Sequence, residues 1–238
     1  MKSIYQEEQS APVGTSVRSS AQNYGFYPKG EETRQRLLDV AIAVFAEKGF
    51  AGASTREIAQ LANTNIVSIH YYFGNKQTLY YEAMEASVQK LTSLFSQACK
   101  RAETCLSRSI QSRHQLLEGL LNLLDDSVAI MFGLNGSLGR LCWMHDDGLN
   151  GTFNEAQERL HSVSYYVSRF LARLTNRTPD SSEVRTQCLA LMAVITFPWS
   201  HQTFLLRSLG WECLDEESAQ QIRDALRSLI GTIVPTVK

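Results

Sequence analysis

The sequence predicts an all-α fold, and three observations carry that prediction. Apolar residues recur at three- and four-residue spacing along most of the chain beyond about residue 31. The glycines that interrupt the pattern fall between periodic stretches, at Gly49, Gly133, Gly136, Gly139, Gly148, Gly151 and Gly210. Neither a hairpin signature nor a strand–helix–strand alternation is present. With 238 residues, the chain has room for one large or two modest domains, and its 44% hydrophobic and 20% charged content is ordinary for a globular protein. Lys plus Arg is 23 against 24 for Asp plus Glu, a formal charge of −1. That excludes a polycationic binder while leaving room for a local basic face.

Residues 1–29, rich in Ser, Gln, Ala and Gly, read as a flexible tail, with Tyr24, Phe26 and Tyr27 able to dock its end. A secondary reading has Arg18 and Lys29 brushing DNA as a minor-groove arm does. Leu37, Leu38, Ala41, Val44 and Phe45 predict a first helix over 31–48, stopped by Gly49. Ser54-Thr55-Arg56-Glu57 has the form of a capping box, in which Ser54 accepts from the Glu57 backbone and Glu57 reaches back to Ser54. Ile58, Leu61 and Ala62 give the short second helix an apolar side. Asn63 tolerates a left-handed turn, and Asn65 can cap a third helix ending near Tyr72. Further helices are predicted over 75–100, 109–129, 134–144, 152–176, 181–209 and 216–234.

No apolar run approaches the roughly 18 residues of a membrane span, and the N-terminus lacks the apolar core of a signal peptide. Cys99, Cys105, Cys142, Cys188 and Cys213 form no CxxC pair, so neither a disulfide framework nor a zinc site is expected. Reduced thiols in the cytoplasm, no bound metal and no membrane partner are the expectation.

The two short capped helices around Ala62-Asn63-Thr64-Asn65 make a helix-turn-helix, whose second helix enters the major groove while the first crosses the backbone. Ile58, Ala59, Thr64, Ile69 and Phe73 are expected to lock the pair together. Ile66, Val67, Ser68, His70 and Tyr72 remain for the outside. From Lys29 to Tyr81 the net charge is only 6 − 5 = +1, so affinity must come from placed charges and from two heads acting together.

Residues 33–84, with FAEKGF, then STREIA, then HYYFGNKQTLY, resemble the TetR/AcrR family of bacterial transcriptional regulators. LLRSLGW and the Leu189–Trp199 stretch resemble the C-terminal domain of CecR-like members, departing at Cys142-Trp143-Met144-His145-Asp146-Asp147. The resemblance implies an N-terminal three-helix DNA-binding domain (30–76) and a larger helical ligand-binding and dimerisation domain (77–238). It implies DNA contacts at Thr55, Arg56, Asn65, Ile66, Val67, Ser68, His70, Tyr71, Tyr72 and Lys76. Thr55, Arg56, Lys76 and Tyr72 would reach phosphate, with a base edge as a second contact for Arg56, and Ile66, Val67, Ser68 and His70 would face the groove. Ile66 and Val67 stand where many relatives carry polar residues or Gly. Alkyl groups there can read thymine methyls but make no bidentate base contact.

For the body, Phe132, Trp143, Met144, His145, Phe153, Tyr166 and Phe170 are the candidates to line a pocket for a small apolar or amphipathic effector, with Tyr165 beside them. Val184, Cys188, Leu191, Met192, Ile195 and Trp199 form one apolar stripe. Ile222, Leu226, Leu229, Ile230 and Ile233 form another. Both are expected to be shared between the core and a four-helix contact with a second subunit. The resulting expectation is a repressor that binds a palindromic double-stranded operator as a homodimer and leaves it when an effector binds. Enzyme readings are weaker. Glu158 and His161 have the E-x-x-H spacing of di-iron bundles, but no second such pair exists. The glycines at 133, 136 and 139 lack the Lys-Ser/Thr of a phosphate loop. A protein-only adaptor has no need of Arg56, Asn65 and Lys76 at helix starts.

Overall fold

The computed structural model describes residues 28–132, 137–143 and 150–234, without the side chains at 28, 29, 138, 142, 143 and 150–160. The tail expectations, including Arg18, lie outside these residues. The described chain is helical, with no strand: α1 Pro28–Gly52, α2 Thr55–Leu61, α3 Ile66–Phe73, α4 Lys76–Leu106, α5 Arg113–Phe132, α6 Ser137–Trp143, α7 Asn150–Thr175, α8 Ser182–Ser200, α9 Gln202–Leu209 and α10 Glu216–Ile233.

Gly49 breaks α1 with φ 67°, ψ 177°, a left-handed backbone that any side chain would strain. The N-terminal head packs around Leu37, Ala41 and Phe45 of α1, Ile58 of α2, Ile69 and Phe73 of α3 and Leu79 of α4, all buried. Each such side chain contributes roughly 1.5–3 kcal/mol by leaving water. Phe45 meets Tyr80 edge-on at 4.8 Å, so the first helix and the fourth share one aromatic core. α4 is the spine of the molecule. Its N-terminal end packs on α1 and α3, and along its length it meets α5, α6 and α7.

In the body, α5 crosses α7 closely at Gly119. A Cβ there would lie 2.7 Å from Phe170 and 2.9 Å from the Cys105 sulfur, so only glycine fits without displacement. The stripe Val184, Cys188, Leu191, Met192, Ile195 and Trp199 is buried inside the chain, as are Ile222, Leu226 and Ile230. This corrects the expectation of a shared dimer face at these positions. α8 turns the stripe onto α5, α6, α7 and α10, and α10 turns its own onto α5 and α8. What remains outside on α8 is a different row, Leu189 (69% exposed), Ala193 and Phe197 at four-residue spacing; on α10 it is Leu229, a member of the predicted stripe, with Ala225.

The predicted 181–209 helix is two helices, α8 and α9, meeting at a bend of 101°. The break falls at His201, whose φ −133°, ψ 38° leaves the helical region, three residues after Pro198, which lies within the last turn of α8. Among the described residues no single helix is long and apolar enough to cross a membrane.

Candidate nucleic-acid interface

The turn between α2 and α3 is built from backbone bonds. Asn63 is left-handed at φ 50°. Its N–H donates to the Gln60 carbonyl (3.0 Å), and the Thr64 N–H donates to the Ala59 carbonyl (2.9 Å). This pair of bonds ends α2 in a Schellman turn. From α1, the Arg36 Nε–H donates to the Ala62 carbonyl at 2.9 Å and ties the turn to the rest of the head.

Each helix start facing the same side is capped. Ser54 Oγ accepts from the Arg56 N–H at 3.2 Å, Asn65 Oδ1 from the Val67 N–H at 3.0 Å, and Asn75 Oδ1 from the Thr78 N–H at 2.9 Å. The capping box expected at Ser54 does not form: Ser54 caps α2 through the Arg56 N–H and not the Glu57 N–H. Glu57 does not return to Ser54, because its carboxylate pairs with Lys48 of α1. That bond to Glu57 raises the Lys48 pKa above its ordinary value.

Ile58, Ala59, Ile69 and Phe73 are buried as the locking set requires, and Thr64 is half-buried, its hydroxyl donating to Ser68 Oγ at 3.0 Å. Outward from α3 stand Ile66 (37% exposed), Val67 (64%), His70 and Tyr71 (80%). Ser68 is half-buried beneath them. Tyr72 is also half-buried, and its hydroxyl lies 3.5 Å from where a Cβ on Gly30 would stand, against the start of α1. His70 Nδ1 lies 2.9 Å from the Gly74 carbonyl. A carbonyl only accepts, so Nδ1 carries a proton and Nε2 is the ring nitrogen left for an outside partner.

The cations of this region divide into two groups. Arg34 pairs with Glu82, Lys48 with Glu57, and Arg36 with the Ala62 carbonyl. Arg56 is exposed and has no ion pair among the described residues. The Lys76 ammonium lies over the Phe50 ring, 4.5 Å from its centroid, at the first turn of α4. A groove of about 550 Å³ runs between α2 and α3, lined by Arg56, Gln60, Asn63, Thr64, Asn65 and Ile66, with Ala59 at its floor. Gln60 and Phe50 escaped the sequence reading. Gln60 was legible, since it lies one helical turn after Arg56, whereas Phe50 meets Lys76 only through the fold.

The body candidates separate. Phe132 is buried and meets Trp199 edge-on at 5.3 Å, and Phe170 is fully buried beneath Gly119. Both are buried among core side chains. Tyr166 does line a groove of about 570 Å³ between α4 and α7, with Lys100, Glu103, His161 and Tyr165. Burial, then the Glu103 charge, raises the Tyr166 pKa. The side chains of Trp143, Met144, His145 and Phe153 lie outside the described residues. No group of three or more His, Cys, Asp or Glu side chains among the described residues could hold a metal ion.

A helix-turn-helix that projects α3 from a small helical head, carried on a larger helical body, defines a DNA-binding regulator. Comparison with known proteins sharpens that class. Residues 37–83 match the family described as "Bacterial regulatory proteins, tetR family". The chain is 26% identical over 221 residues to the HTH-type transcriptional dual regulator CecR of Shigella flexneri, covering 87% of this chain and 93% of that one. A putative TetR-family regulator from Mesorhizobium loti shares the fold with a TM-score of 0.56 at 17% identity, over 87% of this chain and 97% of that chain. The structure of AibR with isovaleryl coenzyme A and operator DNA does so with a TM-score of 0.55 at 14% identity, over 85% and 98%. Residues 37–83 thus match the DNA-binding region of tetR-family regulators, and the chain is similar to a regulator of that kind over most of its length. Those relatives are regulators rather than enzymes.

Proposed function

We propose that this protein is a repressor that binds a two-fold symmetric DNA operator as a homodimer and is released by a small apolar or amphipathic effector. The observation that carries the reading is the helix-turn-helix itself: α3 exposes Val67, His70 and Tyr71, and exposed Arg56 lines one groove with Asn65 and Ile66, while Arg34, Arg36 and Lys48 are occupied within the head. Phosphate contacts at either side fix the position of α3, and its side chains then meet base edges. We assign residues 30–76 to the DNA-binding head and 77–238 to the regulatory body. We place Thr55, Arg56, Asn65, Ser68, His70, Tyr71, Tyr72 and Lys76 at the DNA surface together with Ile66 and Val67.

One head covers one half-site, and a dimer covers two, spaced about 34–36 Å or a multiple of it. The exposed row Leu189, Ala193 and Phe197 beside Ala225 and Leu229 is the face we assign to the second subunit. α4 runs unbroken from Lys76 to Leu106, so the groove at Tyr166 and the phosphate clamp share one rigid helix. An effector that binds one head spacing better than the other shifts the population between them, with a coupling of about 1–3 kcal/mol. A regulator of this kind works where the chromosome is, in the bacterial cytoplasm.

The test is release. The full chain is bound to a duplex selected from a random pool, and fatty acids and acyl thioesters are titrated while anisotropy is read; the AibR structure holds an acyl-CoA, which makes that class the first panel. One class that dissociates the complex at a concentration leaving the protein folded supports the reading. Dissociation by none of a broad effector panel contradicts it.

A further inference from the structure

We propose that α3 selects thymine by its C5-methyl group, with Val67 and Ile66 as the specificity-determining side chains; this rests on the DNA-binding reading above. At the first turn of α3 the two short polar side chains are engaged locally: Asn65 Oδ1 accepts from the Val67 N–H, and half-buried Ser68 accepts from the Thr64 hydroxyl. What projects instead is the branched alkyl of Val67, 64% exposed, and that of Ile66 beside it. Neither has a role in the core, where Ile69 and Phe73 of the same helix are buried.

In the major groove the one apolar feature of any base edge is the thymine methyl. An alkyl side chain pressed there gains contact with that methyl. Against a G·C pair the same side chain covers the guanine O6 and N7 or the cytosine amino group without returning a hydrogen bond, which is penalised. The arrangement therefore favours A·T pairs beneath the first turn of α3 and disfavours G·C by two independent effects. Arg56 and Lys76, at either side of this edge, anchor the backbone and carry no base preference of their own.

The experiment uses the full-length protein and its selected duplex, with the thymines of each half-site replaced one at a time by uracil. That change deletes the methyl and leaves every hydrogen-bonding group in place. We expect one or two positions per half-site to lose about fourfold in affinity, the value of one buried methyl-sized group. Val67→Ala lies on the surface, so the variant folds, and it should reduce the difference between thymine and uracil duplexes towards one. Lys76→Ala should weaken both duplexes equally. A duplex that binds tightly and tolerates uracil everywhere overturns the thymine assignment alone. Failure to retain any duplex overturns the DNA-binding reading and this inference with it.

Discussion

The ammonium of Lys76 rests on the face of Phe50, 4.5 Å from the ring centroid, and this contact joins the end of α1 to the first turn of α4. Phe50 lies in a stack with Phe45 (6.4 Å) and Tyr80 (5.1 Å), so the ring that holds the cation is itself held by the core of the head. Two variants separate the charge from its holder. Lys76→Ala should weaken binding to all duplexes alike and lower the salt slope by about 1 per subunit. Phe50→Leu keeps apolar bulk and the charge, and should cost about two- to fivefold in affinity, the worth of an exposed cation–π contact. Salt titrations of binding check both. An unchanged slope for Lys76→Ala contradicts the phosphate role.

The outer row on α8 predicts the behaviour of the assembly. Leu189→Glu and Ala193→Glu place charges on exposed positions of α8, so thermal stability of the single chain should hold. Sedimentation should show the parent as a dimer at micromolar concentration and the double variant as a monomer. Operator affinity should fall by at least an order of magnitude, because the second head no longer binds as part of the same molecule.

Gly119 tests the packing of the body. Gly119→Ala adds one methyl 2.7 Å from Phe170 and 2.9 Å from Cys105, and helix propensity alone would favour the change. Overpacking should win, with a loss of about 1–3 kcal/mol by chemical denaturation. A gain in stability would show that α5 and α7 separate easily here.

Asp215 sets a pH dependence. Its carboxylate caps α10, accepting from the Ser218 N–H at 3.0 Å, and the Asp215 N–H donates to the Ser218 hydroxyl at 2.8 Å. The backbone bond from Ser218 holds the carboxyl below the usual carboxylate range. A folded pKa below the unfolded one adds stability that is complete above the unfolded value and lost as pH falls through the folded one. Asp215→Asn should therefore lower the melting temperature near about pH 7 and match the parent near about pH 3, below the carboxylate range.

Local signals were legible in the sequence and long-range choices were not. Ser54, Asn63 and Asn65 announce a cap, a left-handed turn and a second cap, because each acts on backbone within a few residues. Glu57 obeys the same local rule on paper, yet it pairs with Lys48, since a cation brought by α1 competes with a backbone N–H. Periodicity identified the stripes of α8 and α10 as apolar but is silent on whether the covering helix comes from the same chain. α5 and α7 supply the cover, and the row beginning at Leu189 stays outside. Pro198 was visible in the sequence, but the direction of the bend depends on how α9 packs after it.

Selection of bound duplexes from a random pool by the full-length protein tests the central claim most directly. The account predicts enrichment of an inverted repeat with A·T pairs at the centre of each half-site, and a changed half-site when Val67 or His70 is replaced. Enrichment of no sequence by folded protein, or an enriched sequence indifferent to every exposed residue of α3, would contradict it.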